Sequence, residues 1–275
     1  MEKPILFSDL DQTLIYSPRQ INKYDDQFEN KVIMEMYEGK PLSYMTFTAL
    51  TKLVRISEEL NFVPVTTRTL EQFKRVKLTP SVTVDYGITT NGAKIVDFEG
   101  NEDISWTNKT MSLIESNSAH PDKVQEELLK LLAEASDEVK NWVKLIRPAD
   151  GFFSYIVTYP DVEQPAEFVK LLETKAAEWN YAMSFQSSKI YFVPRDLTKQ
   201  RAAQEVFERL EGTTSFAAGD SFLDVGLMQF ATDAIRPNHG ELSHLEAAKG
   251  FSVTNIQGIK AAEEILEYVL KKVNN

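Results

Sequence analysis

The chain has no cysteine among its 275 residues. Disulfides, thiolate nucleophiles and cysteine-held metals are thereby excluded, and a cytoplasmic setting is the expectation. It has no uninterrupted run of about eighteen apolar residues, so no membrane span is expected. The opening Met1-Glu2-Lys3-Pro4 leads directly into a strand-like run, which leaves no room for a signal peptide. Histidine is scarce. His120, His239 and His244 show no metal-ligand spacing, and all three are expected at the surface. Basic residues are outnumbered 30 to 41, for a formal charge of -11, and they nowhere gather in fives or sixes. Such a chain repels nucleic-acid phosphates and anionic lipid headgroups, so neither nucleic acid nor membrane is an expected partner. A small anionic ligand stays compatible, because a metal and a lysine overrule the global sign within a few ångströms.

What is present divides into three stretches. The first alternates strand and helix. Ile5 to Phe7 reads as a strand, Phe47, Leu50, Leu53, Val54 and Leu60 share a helix face, and Asn61 to Thr66 returns to a strand. Ser81 to Val84 is β-rich, and Asn91-Gly92 is a turn signal with a hairpin partner in Ala93 to Val96. Residues 16–46 are less regular and read as a loop with a helical piece. The middle stretch reads as two helices, Val124 to Leu132 and Pro165 to Trp179, with about four strands. Two of these strands, Trp142 to Ile146 and Phe152 to Tyr159, flank a turn at Arg147-Pro148-Ala149-Asp150-Gly151. The last stretch alternates again and closes on an amphipathic helix through Ile259, Leu266 and Leu270. The expected fold class is α/β, a doubly wound parallel sheet interrupted by an inserted α+β domain. The boundaries are expected at 1–108 and 189–275 for the core and 109–188 for the insertion.

The chemistry is concentrated at expected strand ends. The apolar run Pro4 to Phe7 stops at Ser8-Asp9-Leu10-Asp11-Gln12-Thr13. Paired carboxylates beside an apolar core are costly unless compensated, and a divalent cation is the simplest compensation. A second strand ends in Thr66-Thr67-Arg68, and a late one in Gly219-Asp220 with Asp224 four residues on; Lys199 opens a helix in the same half. Loops at the carboxyl ends of a parallel sheet line one crevice. If these segments converge, they bring together four carboxylates, a hydroxyl, a lysine and Mg²⁺, the parts of a phosphoryl-transfer site. Asp9, nearest the strand end, is the candidate nucleophile. Asp11 is the candidate acid and base. Asp9, Asp11, Asp220 and Asp224 are the candidate metal residues, with Asp11 acting through its carbonyl. Thr66 and Lys199 are placed on the phosphoryl oxygens, with Thr67, Arg68, Asn91, Gly92 and Arg147 as candidate substrate contacts.

These segments resemble the four motifs of the haloacid dehalogenase superfamily over nearly the whole chain. Asp9-Leu10-Asp11-Gln12-Thr13 is similar to the first motif, Thr66 to the second, Lys199 to the third, and Gly219-Asp220-Ser221-Phe222-Leu223-Asp224 to the fourth. The insertion between the second and third motifs, with Thr90-Asn91-Gly92-Ala93, resembles the branch with a large α+β cap. That branch includes Cof-like, sucrose-phosphate and mannosyl-phosphoglycerate phosphatases. The resemblance implies a Mg²⁺-dependent phosphatase of a small phosphorylated metabolite, often a sugar phosphate, working through an aspartyl phosphate. Gln12, Thr67, Leu223 and Gln200 depart from the motifs, which commonly carry Gly, Gly, Asn and Gly there. Two other classes share part of the pattern: a phosphosugar mutase, and a non-catalytic receiver-like or metabolite-binding protein. Product analysis and aryl-phosphate hydrolysis with and without Mg²⁺ separate them.

Overall fold

A computed structural model describes residues 3–24, 30–78, 82–186 and 188–274. The chain divides into two compact units, one made of the segments up to Asp103 and from Thr198, the other of Ile104–Leu197. In the first unit run β1 (Ile5–Ser8), α1 (Pro18–Lys23), β2 (Lys31–Tyr37), β3 (Lys40–Thr46), α2 (Phe47–Glu59), β4 (Asn61–Pro64), α3 (Leu70–Lys74), β5 (Tyr86–Thr89) and β6 (Lys94–Asp97). The second unit holds α4 (Ile104–Asn117), α5 (Pro121–Glu134), α6 (Asp137–Trp142), β7 (Val143–Ala149), β8 (Phe153–Thr158), α7 (Ala166–Trp179), β9 (Tyr181–Gln186) and β10 (Lys189–Pro194). The first unit resumes with α8 (Lys199–Arg209), β11 (Ser215–Ala218), α9 (Val225–Phe230), β12 (Asp233–Arg236), β13 (Ser252–Val253) and α10 (Ala261–Val273). No described helix is long and apolar enough to cross a membrane.

The first unit is built on a five-stranded sheet in the order β13-β12-β11-β1-β4, with every neighbour parallel. Its strands are apolar on both sides, as a sheet covered on both faces requires. Leu6 and Phe62 pack with α2 and α10 through Leu53, Ile56 and Leu266. Phe7 faces the other way, onto Phe230 of α9 at 6.3 Å between rings. Thr46 caps α2 by accepting from the Ala49 N–H at 3.0 Å, and Leu50, Leu53 and Ile56 form its buried stripe. Phe47, expected in that stripe, is 64% exposed because it occupies the first turn, off the packed face.

β1 is central, and its last residue, Ser8, pairs with Pro64 on one side and Ala218 on the other. The three strands therefore end at one level, and the loops beyond them share one edge of the sheet. This topology is the physical reason that residues about two hundred positions apart become neighbours.

The structure alters several expectations. Residues 31–46 form a hairpin, not a loop; Glu38 and Gly39 at its tip have φ of 50° and 77°, the backbone of a tight hairpin turn. Ser81 lies outside the described residues, the described part of 81–84 is not a strand, and β5 begins at Tyr86. In the second unit, β7 runs on through Arg147 and Pro148, and the turn is made by Asp150 and Gly151 at φ of 49° and 77°. Proline is tolerated there because β7 is an edge strand of the antiparallel sheet β7-β8-β10-β9. Among its described residues the unit has four helices where two were expected. Its borders fall outside 109–188, since β10 pairs with both β8 and β9, and α4 begins at Ile104. Its core gathers Leu128, Trp142, Ile156, Leu172 and Phe192 between the sheet and its helices.

Candidate active site

Asp9 comes directly after β1, and its N–H extends the sheet by donating to Ala218 O at 2.9 Å. Its side chain is buried, with Lys199 Nζ 2.5 Å from Oδ1 and the Thr13 hydroxyl 3.5 Å from Oδ2. Lys199 is the first residue of α8, which is capped by Thr198 accepting from the Arg201 N–H at 3.2 Å. Its second partner is Asp224 Oδ1 at 2.6 Å. Asp224 Oδ2 accepts from the Asp220 N–H at 3.2 Å, the Ser221 N–H at 2.9 Å and the Ser221 hydroxyl at 2.7 Å. Both Asp224 oxygens are thus engaged, one holding the lysine and the other holding the turn that carries Asp220. Gly219 makes this possible, since a Cβ there would lie 2.4 Å from Asp224 Cβ.

Among the described residues, Asp9, Asp220 and Asp224 form the one group of three acidic side chains whose ligand atoms lie within 4.8 Å of one another. One ammonium faces three buried carboxylates. Burial, with Asp224 and Asp11 nearby, lifts the Asp9 carboxyl to about 7 even against Lys199. Asp220 is raised well above the ordinary carboxylate range by burial and by Asp9 and Asp224. Burial alone would discharge Lys199, but Asp224 and Asp9 outweigh it and keep the ammonium charged above its usual range. The donor set is all hard oxygen, short of positive charge and enclosed, which suits a small divalent cation.

Asp11 points into a different network. Arg68 grips it with both sides of its guanidinium, Nε to Oδ2 at 2.7 Å and a terminal nitrogen to Oδ1 at 2.9 Å. The remaining Arg68 nitrogen donates to Glu35 Oε2 at 2.7 Å, and Arg75 donates to Glu35 Oε1 at 3.1 Å. Glu35 is buried at a β-bulge of the β2–β3 hairpin. The bulge turns a carboxylate inward from a hairpin otherwise half exposed. Arg68, expected to meet substrate, is here the holder of Asp11.

Thr66 is buried just past β4. Its Oγ1 accepts from the Arg68 N–H at 3.2 Å, which leaves the hydroxyl proton to donate. Thr67 beside it is buried as well. The turn after β5 has φ of 53°, 55° and 99° at Thr90, Asn91 and Gly92. It is stitched to the Thr66 loop by Thr90 N–H to Arg68 O at 2.7 Å and Asn91 N–H to Thr66 O at 2.9 Å. Asn91 and Gly92, candidate substrate contacts, are both buried in this turn. A Cβ on Gly92 would meet Thr198 O at 2.4 Å, so this glycine lets the start of α8 come close. Arg147 is an exposed residue of β7 in the second unit, not a turn residue.

Three residues escaped the sequence reading. Glu35 was hidden in the missed hairpin, for which the glycine of the Glu38-Gly39 turn between two β-rich runs was the available signal. Ser221 comes next after the recognised Asp220. His239, expected at the surface, is buried and donates from Nε2 to Gln12 O at 2.9 Å while Nδ1 accepts from the Gly258 N–H at 3.2 Å. Burial pushes its pKa down to about 4.

No family model matches the chain, and no curated protein matches it. Solved structures do. The chain is similar to the sucrose-phosphatase from Synechocystis in complex with sucrose and phosphate, at a TM-score of 0.65 and 15% identity over 100% of this chain and 99% of that one. A protein from Thermoplasma acidophilum gives 0.61 and 13% over 100% and 99%. A haloacid dehalogenase-like hydrolase from B. subtilis gives 0.57 and 13% over 98% and 99%. The chain therefore has the fold of the haloacid dehalogenase-like hydrolases. That fold is an α/β core on a parallel sheet, with an α+β unit inserted in the chain.

Proposed function

We propose that the chain is a Mg²⁺-dependent phosphatase acting on a small phosphorylated metabolite through an aspartyl phosphate. One observation carries the reading: a buried carboxylate, Asp9, sits at the end of the central strand with one lysine and two further carboxylates around it. Asp9 and Asp220, with the Asp11 carbonyl, would hold the cation, and Asp224 would hold Lys199 and the Asp220 turn. Bound Mg²⁺ neutralises charge so that a phosphate dianion can approach these carboxylates. The Asp9 carboxylate attacks phosphorus, the bond from phosphorus to the leaving oxygen breaks, and the Asp11 carboxyl donates its proton to that oxygen. Water then attacks phosphorus, Asp11 takes up the proton released, and the bond from phosphorus to Asp9 breaks, restoring both carboxyl groups. Lys199 and the Thr66 hydroxyl steady the phosphoryl oxygens. Arg68 occupies both Asp11 oxygens, so the acid role requires Asp11 to leave that grip to reach the leaving oxygen.

The fold shared with sucrose-phosphatase favours a phosphomonoester with a sugar-like leaving group. The second unit is proposed as a cap that sets this choice, with Arg147 as one of its cationic contacts. The test is phosphate release from an aryl phosphate and from a panel of phosphorylated metabolites. Release that requires Mg²⁺ and is lost in Asp9→Asn supports the reading. Absence of release from every member, or release undiminished in Asp9→Asn, overturns it. An isomerised sugar phosphate in place of free phosphate would identify a mutase.

A further inference from the structure

We infer that Gln12 orients Asp220 toward the divalent cation by holding one of its carboxylate oxygens, an inference that rests on the metal-dependent reading above. Position 12 has φ of 63°, a left-handed backbone that glycine adopts freely and glutamine does not. The peptide is pinned in that shape by contacts that need no side chain. The Gln12 N–H donates to Ile15 O at 2.9 Å. Its carbonyl accepts from the Tyr16 hydroxyl at 2.8 Å and from His239 Nε2 at 2.9 Å. Because His239 Nδ1 accepts from the Gly258 N–H, the imidazole proton sits on Nε2 and points at this carbonyl. A glycine at position 12 would keep all of these bonds with less strain.

What the glutamine adds is a reach across the site. Its Nε2 donates to Asp220 Oδ2 at 3.1 Å. The same oxygen is walled by Gly240, where a Cβ would lie 2.7 Å from it. The Asp220 backbone is fixed as well, since its carbonyl accepts from the Leu242 N–H at 3.0 Å and its N–H donates to Asp224. With Oδ2 enclosed between an amide and a glycine, Oδ1 is the oxygen left for a cation. Rotation of the carboxylate would break the Gln12 bond, so Oδ1 is presented in one direction before any ion arrives. Lys199 does not perform this task, because its partners are Asp9 and Asp224. A neutral amide also holds the carboxylate without discharging it, which a second lysine would do. Outer partners that orient a ligand in this way are typically worth about 10–100-fold in metal affinity.

The test is calorimetric titration of Mg²⁺ into the wild type, Gln12→Gly, Gln12→Asn and Asp220→Asn, with the melting temperature of each metal-free protein measured alongside. Glycine and asparagine both tolerate the left-handed backbone, but glycine has no amide and asparagine is one methylene too short. The expected result is a Mg²⁺ dissociation constant roughly tenfold higher in both Gln12 variants, with metal-free Gln12→Gly melting at or above the wild-type temperature. Weaker ion binding with undiminished stability is a combination that a merely structural role does not produce. Wild-type Mg²⁺ affinity in Gln12→Gly overturns the inference, as does a loss of affinity matched by a loss of metal-free stability. If the wild type binds no Mg²⁺, or Asp220→Asn binds it as tightly, the metal-dependent reading fails and the inference fails with it.

Discussion

Two charge networks lie on either side of Leu10, and they are built to opposite rules. Asp9 belongs to a set with one cation, Lys199, among three buried carboxylates. Asp11 belongs to a set in which two arginines, Arg68 and Arg75, meet Asp11 and Glu35, with the exposed Glu71 as a further partner of Arg75. Apart from the solvent-exposed Glu71, the second set is balanced, two arginines against two carboxylates, and the Arg68 fork is filled. The first is short of positive charge, and the raised Asp9 and Asp220 carboxyls record the deficit. A balanced network holds a shape, whereas an unbalanced one attracts a cation.

The comparison breaks most severely at its unbalanced half. Asp9→Asn should lower phosphate release by at least about a thousandfold, with circular dichroism unchanged and the metal-free protein no less stable. Lys199→Met removes the sole cation of that set. It should cost the metal-free protein about 3–5 kcal/mol in urea denaturation, with part of the loss recovered on adding Mg²⁺.

The pH response sharpens the same contrast. Asp9 has a raised folded-state pKa, so its ionisation opposes folding. That cost is absent below about 4 and complete above about 7, which makes metal-free stability fall as pH rises through this window. His239 works in the reverse direction. Its folded pKa is depressed to about 4, so its contribution is present above about 6.5 and is lost as pH falls toward 4. Melting temperatures of the wild type, Asp9→Asn and His239→Gln between pH 4 and 8 separate the two. Asp9→Asn should shrink the falling limb, to which the raised Asp220 also contributes, and His239→Gln should lose the rising one, each change being on the order of 3–4 kcal/mol. The smallest effect is expected in the balanced half. Glu35→Gln should cost about 2 kcal/mol and lower kcat with little change in KM, because Asp11 loses a fixed Arg68 but the phosphate site is untouched.

The strand that leads to Asp9, the Thr66 strand end, Lys199 and the Gly-Asp-Ser turn were legible in the sequence. Each lies within a few residues of a short apolar run, and a parallel sheet aligns such ends. Glu35 was not, because the bulge beside it breaks the alternation and Ile33 and Met36 remain exposed on the hairpin. His239 was not, because its burial depends on Gln12 and Tyr16, more than two hundred positions away. Helix α4 was missed because its buried face, Trp106, Thr110 and Ile114, includes a threonine and so shows a weak apolar period. Arg147 was drawn into a turn by Pro148, which an edge strand accommodates.

The places where the first unit's chain breaks off and resumes are both firmly moored. Asp103 donates its N–H to Ile95 O at 2.8 Å and pairs with Arg209 of α8 at 2.7 Å, and Thr198 is seated against Gly92 one residue before Lys199. The intervening ninety-four residues (104–197) are therefore spliced between two fixed posts. Such a graft can diverge, or be exchanged for another in the laboratory, while the Lys199 ammonium keeps its place. On the proposed reading, selectivity and chemistry are then free to evolve on separate clocks.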